Sequence, residues 1–219
     1  MVSRRAAVIL AGGASSRMGR DKAWLRTVDD DDAPGAGAEP LLHRVCRIAQ
    51  TACPRVIAVG RRGVSLPVLP VGTVRVDDDD GGPSGPLAGA VAGLRAALER
   101  GAEVAYLGAC DAAWLSTIHV EAMLQALERG DARAVVPTGG QRDDGTAIVH
   151  ATSGAVRVAA ALATAVALLA AGERALRGLY AALAATHVDA ANLPDPGALR
   201  CCNTPEQLVL ARAHWVAHP

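Results

Sequence analysis

Three short stretches of this chain concentrate side chains able to act on phosphates. In LAGGASSRMGRDK, from Leu10 to Lys22, a short apolar run ends in Gly12 and Gly13, and Arg17, Arg20 and Lys22 follow. Glycines after a strand let the backbone approach a ligand with no Cβ in the way. Successive N–H groups in such a turn form an anion nest. Arg17 and Lys22 add positive charge nearby, which suits a triphosphate whose departing pyrophosphate gathers negative charge. The loop is neither GxxxxGK[ST] nor GxGxxG. In VDDDDGGPSGPLAGA, Asp77, Asp78, Asp79 and Asp80 precede a glycine/proline turn, and a helix begins near Leu87. In VAYLGACDAAWL an apolar run ends in Cys110-Asp111. A carboxylate at the end of a buried strand is costly unless it is paired or metal-bound. Beside a phosphate loop, Mg²⁺ is its economical partner, bridging and screening the two phosphates that must react.

Such residues need a rigid rim, and the hydrophobic pattern predicts one. AAVIL, RVIAV, TVRV, VAYLGA and RAVVP read as buried strands, while Leu41 to Thr51, Leu87 to Arg100 and Thr117 to Arg129 have helical length and spacing. Strands alternating with helices predict a parallel, doubly wound α/β sheet with helices on both faces. Ligands of such sheets sit at the carboxyl ends of the strands, so the loops after Leu10, Val59, Val76 and Ala109 share one rim. The acidic, then Gly/Pro/Ala-rich segment from Asp29 to Pro40 predicts a solvated hairpin tip or flexible insertion. ANLPDPGALR reads as a second hinge-like stretch before the last helix. That helix starts at NTPEQL, with Thr204 as N-cap, Pro205 in the first turn and Gln207 as capping-box partner.

Composition narrows the function classes. At 219 residues the chain suits one domain, 1–219, whose core rests on Ala, Val and Leu because it holds three Trp, two Tyr and no Phe. The formal net charge is zero, so no global attraction to nucleic acid or an anionic membrane is expected. AAVIL is too short for an export signal. Val158 to Gly172 falls short of the roughly 20 apolar residues a bilayer span requires and reads as a core-facing helix. The five cysteines have no zinc-ligand spacing, and their odd number favours reduced thiols in the cytoplasm. Cys46 and Cys53 read as core residues, as do Trp24 and Trp114. His43, His119, His150 and His187 read as surface or satisfied histidines.

Taken in order, LAGGxSxRMGxDK, GPLAG, CD and NTPEQL resemble the molybdenum cofactor guanylyltransferases of the nucleotidyltransferase-A superfamily, from Val8 to about Ala213. The resemblance implies a three-layer α/β/α, Rossmann-like, mostly parallel sheet. It implies transfer of GMP from GTP to molybdenum-molybdopterin, with Mg²⁺ and with pyrophosphate as the second product. It places the nucleotide on Leu10, Ala11, Gly12, Gly13, Lys22, Asp78 and Asp111, with Asp77 or Asp79 as alternatives to Asp78. Asp111 is the implied Mg²⁺ ligand, and Arg17, Lys22 and Asp111 form the implied catalytic set. GQRDDGTAIVH resembles the pterin-side stretch, which puts Arg142, Asp143 and Asn203 near that substrate. Transient contact with molybdenum cofactor biosynthesis or acceptor proteins follows from the same likeness.

Three positions depart from the family's pattern. Val59 follows RVIA where asparagine is often found, DAAWL lacks the proline of Asp-x-Pro, and Cys201 stands where asparagine is common. The first and third bear on side-chain contacts to guanine and pterin. Cytidylyltransferases of the same superfamily resemble LAAG where this chain has LAGG, and the second glycine leans towards the larger base. A protein that binds the cofactor without transferring a nucleotide would have little use for both Lys22 and Asp111.

Overall fold

The structure is a computed structural model and describes residues 4–12, 18–19, 21–26, 39–78, 85–141 and 144–217. All five expected runs form strands, and the first four of these are β1 (Arg5–Leu10), β2 (Arg55–Arg61), β3 (Thr73–Asp78) and β4 (Val104–Ala109). They lie parallel in the order β3-β2-β1-β4, and Leu10 faces Val59 on one side and Ala109 on the other. Their carboxyl ends therefore share one rim. Helices α1 (Leu41–Ala52), α2 (Pro86–Glu99) and α3 (Thr117–Glu128) lie close to their expected bounds.

Successive strand residues point to opposite faces, and each face of the sheet has its own core. Ala7 and Ile9 belong to the core that holds Val45 of α1 and Met123 and Leu127 of α3. Ala6 and Val8 belong to the other, with Leu87 and Leu94 of α2. This is the expected three-layer α/β/α arrangement. Gly93 sets how closely α2 approaches the sheet, because a Cβ there would stand 2.2 Å from Val8 Cγ1. Close packing of α2 also fixes where its first turn meets the rim.

The sheet is mostly parallel, as the resemblance implies, and becomes mixed beyond β4. Beyond β4 lie β5 (Ala134–Gln141), β6 (Ala147–Val149), β7 (Ser153–Arg157) and β8 (Thr186–Asp189). β7 pairs antiparallel with β4 and β5, β6 pairs antiparallel with β5, and β8 pairs parallel with β5. α4 (Val158–Ala170) and α5 (Leu176–Ala182) cover the face that carries α2. The core-facing reading of Val158 to Gly172 holds for one side only: Val158, Ala161 and Ala165 are buried, while Val166 is exposed. Among the described residues no helix is long and apolar enough to cross a membrane.

Two expectations about loops fare differently. The stretch read as a hinge is packed, with Leu193 and Ala198 buried and Asp195 accepting a 2.6 Å hydrogen bond from Ser116 Oγ. Most of the acidic insertion lies outside the described residues. Its flanks meet through an antiparallel bridge between Arg26 and Pro40, and the Leu41 N–H donates to Leu25 O at 2.6 Å.

His119 is fully buried between α3 and the sheet. Its Nε2 lies 2.8 Å from Ser153 Oγ, which is itself 3.1 Å from Tyr106 Oη, while Nδ1 has no partner among the described residues. Burial disfavours the imidazolium and lowers the pKa to about 4. An unfolded chain takes up this proton near pH 6.5 and the native chain only near pH 4. Stability attributable to His119 is thus intact above the unfolded value and falls as the pH drops through this window, by up to about 3 kcal/mol. Denaturant titrations between pH 7 and 4 should show that loss, and His119→Gln should lack that share of it. An unchanged pH slope in the variant would show that the imidazole is not held neutral.

Candidate active site

The strand ends enclose a cavity of about 540 Å³ lined by Leu10, Gly12, Asp21, Lys22, Asp78 and Asp111, among others. Five of the sequence-predicted residues, Leu10, Gly12, Lys22, Asp78 and Asp111, therefore meet in one place. Ala11 is buried beside it, held by a 2.8 Å hydrogen bond from its N–H to Val59 O. Gly13, Arg17, Arg142 and Asp143 lie outside the described residues.

Lys22 opens a short 3₁₀ turn, Lys22–Trp24, capped by Asp21, whose Oδ1 accepts from the Ala23 N–H at 3.0 Å. The turn aims the ammonium at the end of β4. Lys22 Nζ donates to Asp111 Oδ2 at 2.8 Å and to Asn203 Oδ1 at 2.5 Å, and the side chains of Lys22 and Asp111 are each only 18% exposed. The partner that satisfies the strand-end carboxylate is thus a lysine from the glycine loop.

Asn203 reaches Lys22 because its backbone is fixed twice. The Cys202 N–H donates to Asp111 O at 2.8 Å, tying the last loop to the end of β4. Helix α6 (Pro205–Ala217) begins with the expected capping box: Thr204 Oγ1 accepts from the Gln207 N–H at 3.3 Å. Gln207 Oε1 accepts from Asn203 N–H at 2.6 Å and from Thr204 N–H at 3.2 Å. The NTPEQL motif is therefore a device for presenting one amide oxygen to Lys22. Asn203, expected on the pterin side, stands at the lysine.

At the other end of the cavity, strand alternation separates the aspartates. Asp77 accepts from Arg75 Nε at 2.8 Å, whereas Asp78, on the opposite face of β3, lines the cavity. Asp79 and Asp80 lie outside the described residues. Three strand spacings separate Asp78 on β3 from the end of β4, about 14 Å, so the cavity has two charged ends. Between them, Gly85 begins α2 at φ +139°, and a Cβ there would stand 3.1 Å from Arg174 O. Only glycine fits that entry without strain.

The thiols around Asp111 are inert. Burial, then the Asp111 carboxylate, pushes Cys201 up to about 12, and the same two causes push Cys202 up to about 11 and raise Cys110. Thiols raised in this way are protonated at neutral pH, which is their unreactive state. Cys46 and Cys53 are buried, as expected. Trp114 is a core residue with the Arg200 guanidinium 4.2 Å over its ring. Trp24 is not: it is 46% exposed, its Nε1 donating to Ser65 O at 3.3 Å.

Asp21, Arg61 and Thr152 line the cavity as well, and sequence reasoning missed all three. Arg61 could have been found by continuing the RVIAV strand two residues further. Thr152 could not, because it reaches the rim only through the antiparallel placement of β7, whose Ser153 faces Gly108 of β4.

Residues 7–187 match the MobA-like NTP transferase domain. A probable molybdenum cofactor guanylyltransferase of Mycobacterium bovis is 37% identical over 174 residues, covering 80% of this chain and 78% of the relative. The Mycobacterium marinum protein of the same description is 36% identical over the same shares. Molybdopterin-guanine dinucleotide biosynthesis protein A from Archaeoglobus fulgidus superposes with a TM-score of 0.71 at 16% identity, covering 97% of this chain and 99% of that one. The 2-C-methyl-D-erythritol 4-phosphate cytidylyltransferase of Thermus thermophilus superposes at 0.65 with 17% identity, covering 98% of each chain. At these identities the two structural likenesses speak for a shared fold.

Proposed function

This chain belongs to the MobA-like NTP transferase family, and we propose that its domain, 1–219, transfers GMP from GTP to the phosphate of molybdenum-molybdopterin in the cytoplasm. The observation that carries this reading is the Lys22–Asp111 contact, which joins the glycine loop to the end of β4 inside the cavity. The relatives' description as guanylyltransferases selects the base and the acceptor. Five free thiols support a reducing compartment.

The acceptor phosphate needs no general base, because it is already ionised at neutral pH. One of its oxygens attacks the α-phosphorus of GTP. The bond from that phosphorus to the bridging oxygen breaks, and pyrophosphate leaves with the electron pair. Lys22 neutralises the charge gathering on the α-phosphoryl and leaving groups, while Asn203 and Asp111 hold its ammonium in line. Gly12 and Gly13 give the triphosphate access to the backbone, and Arg17 adds charge to the same loop. Arg142 and Asp143 serve the pterin side, with Asn203 between the two substrates.

The donor set also suits Mg²⁺. The carboxylates of Asp21 and Asp111 line the cavity at the Lys22 end, and hard oxygen donors of this kind bind Mg²⁺ together with water and substrate phosphates. Among the described residues no cluster of three or more His, Cys, Asp or Glu could hold a metal by itself. Asp111 would hold it, and the ion would supply charge neutralisation between the reacting phosphates. Transient contact with molybdenum cofactor biosynthesis or acceptor proteins would deliver and collect the cofactor.

The test is a panel of GTP, CTP, ATP and UTP with Mg²⁺ and molybdenum-molybdopterin, read as pyrophosphate release and as product mass. GTP should be used best and yield the guanine dinucleotide. Preference for CTP would replace this reading with cytidylyl transfer, and binding without pyrophosphate release would remove catalysis altogether.

A further inference from the structure

The family's asparagine position is Val59 here, and Val59 is 2% exposed in the core beneath α2. It offers no polar group to a base. Side chains repeat on one strand face every second residue, so the next residue of β2 on that face is Arg61. Its register partner on β3 is Asp78. A guanidinium and a carboxylate thus sit on adjacent parallel strands, on the same face, and both line the cavity.

Arg61 is also fixed in place. Its Nε donates to Gly12 O at 2.8 Å, which ties the side chain to the glycine turn. A bond through Nε orients the guanidinium plane and leaves both Nη nitrogens for a ligand. Neither has a hydrogen-bond partner among the described residues. The charged end formed by Arg61 and Asp78 lies about 14 Å from the end of β4. A nucleotide whose α-phosphate lies at Lys22 would extend its base towards Arg61 and Asp78.

We propose that Arg61 is a specificity-determining residue that reads the O6/N7 edge of the guanine base. The assignment rests on the guanylyl-transfer reading above. Guanine presents two acceptors, O6 and N7, along one edge, and arginine meets them with a two-pronged donor pair. The adjoining N1–H and N2–H₂ donors would then face the neighbouring carboxylate of Asp78. Arg61 replaces by charge and geometry the polar contact that Val59 lacks.

Equilibrium binding of GTP, 7-deaza-GTP and CTP to the full chain tests this, using wild type, Arg61→Ala and Arg61→Lys. Wild type should bind GTP best and 7-deaza-GTP about tenfold more weakly, because loss of N7 breaks the pair. Arg61→Ala should weaken GTP roughly ten- to a hundredfold and affect 7-deaza-GTP and CTP much less. Arg61→Lys should resemble the alanine variant, since one ammonium cannot reproduce the fork. Arg61 is solvent-exposed, and unchanged thermal melting of the lysine variant keeps the comparison valid. Full GTP affinity in Arg61→Lys, or equal losses for all three nucleotides, would overturn the assignment and leave guanylyl transfer intact. Tighter binding of CTP than GTP by wild type would overturn the guanylyl reading itself.

Discussion

Asp111→Asn is expected to fold like the parent and to lose nucleotidyl transfer by at least about a thousandfold. The side chain is close to isosteric, and the bond that anchors the last loop, Cys202 N–H to Asp111 O at 2.8 Å, uses the backbone rather than the carboxylate. The amide can still accept from Lys22, so the local hydrogen bonding survives. The negative charge does not. It balances Lys22 and would hold the metal shared with the nucleotide, and both needs are greatest when pyrophosphate departs. Single-turnover rates across a Mg²⁺ titration, with melting curves as control, provide the measurement. A variant within tenfold of wild type at matched Mg²⁺ would show that the carboxylate holds no catalytic ion.

Lys22→Ala should cost about a hundred- to a thousandfold in turnover while lowering stability by about 1 kcal/mol. The stability cost exceeds that of a free surface lysine because Nζ serves two partners, Asp111 at 2.8 Å and Asn203 at 2.5 Å. Removing it leaves the Asp111 carboxylate without its counter-charge on a mostly buried wall. The catalytic cost is larger because a positioned ammonium is worth most when charge develops on the phosphates. Since Lys22 and Asp111 act as a unit, the double variant Lys22→Ala/Asp111→Asn should lose far less than the product of the single losses. The decisive readings are kcat for the soluble, folded variant and its denaturation midpoint. A collapse in stability with activity per folded molecule retained would make Lys22 structural.

Much of the architecture was legible in the chain, because parallel strands buried on both faces read as continuous apolar runs. AAVIL, RVIAV and VAYLGA are such runs and became β1, β2 and β4, whereas TVRV, expected to be buried, became the edge strand β3, with Arg75 exposed and its other residues only part-buried. Their shared direction alone implies that the glycine loop and Asp111 lie on one rim. The capping box at Thr204 and Gln207 was equally visible, since caps depend on residues three or four apart. Long-range pairing was not. The antiparallel insertion of β7 beside β4 depends on contacts between segments far apart in the chain, for which local pattern carries no signal. For the same reason Thr152 went unseen at the cavity wall.

By itself, then, the sequence determined the chemistry available: a glycine loop with cations, a strand-end carboxylate, and an amide beside a helix cap. The tertiary structure alone decided which groups touch. Lys22 and Asp111 are 89 residues apart and Lys22 and Asn203 are 181 apart. Only the closing of β1 against β4 and the docking of the last loop onto Asp111 bring these three together. The choice between Asp77 and Asp78 was likewise tertiary. Both are aspartates at a strand end, and only the pairing of β3 with β2 fixes the strand's rotation, turning one towards Arg75 and the other into the cavity beside Arg61.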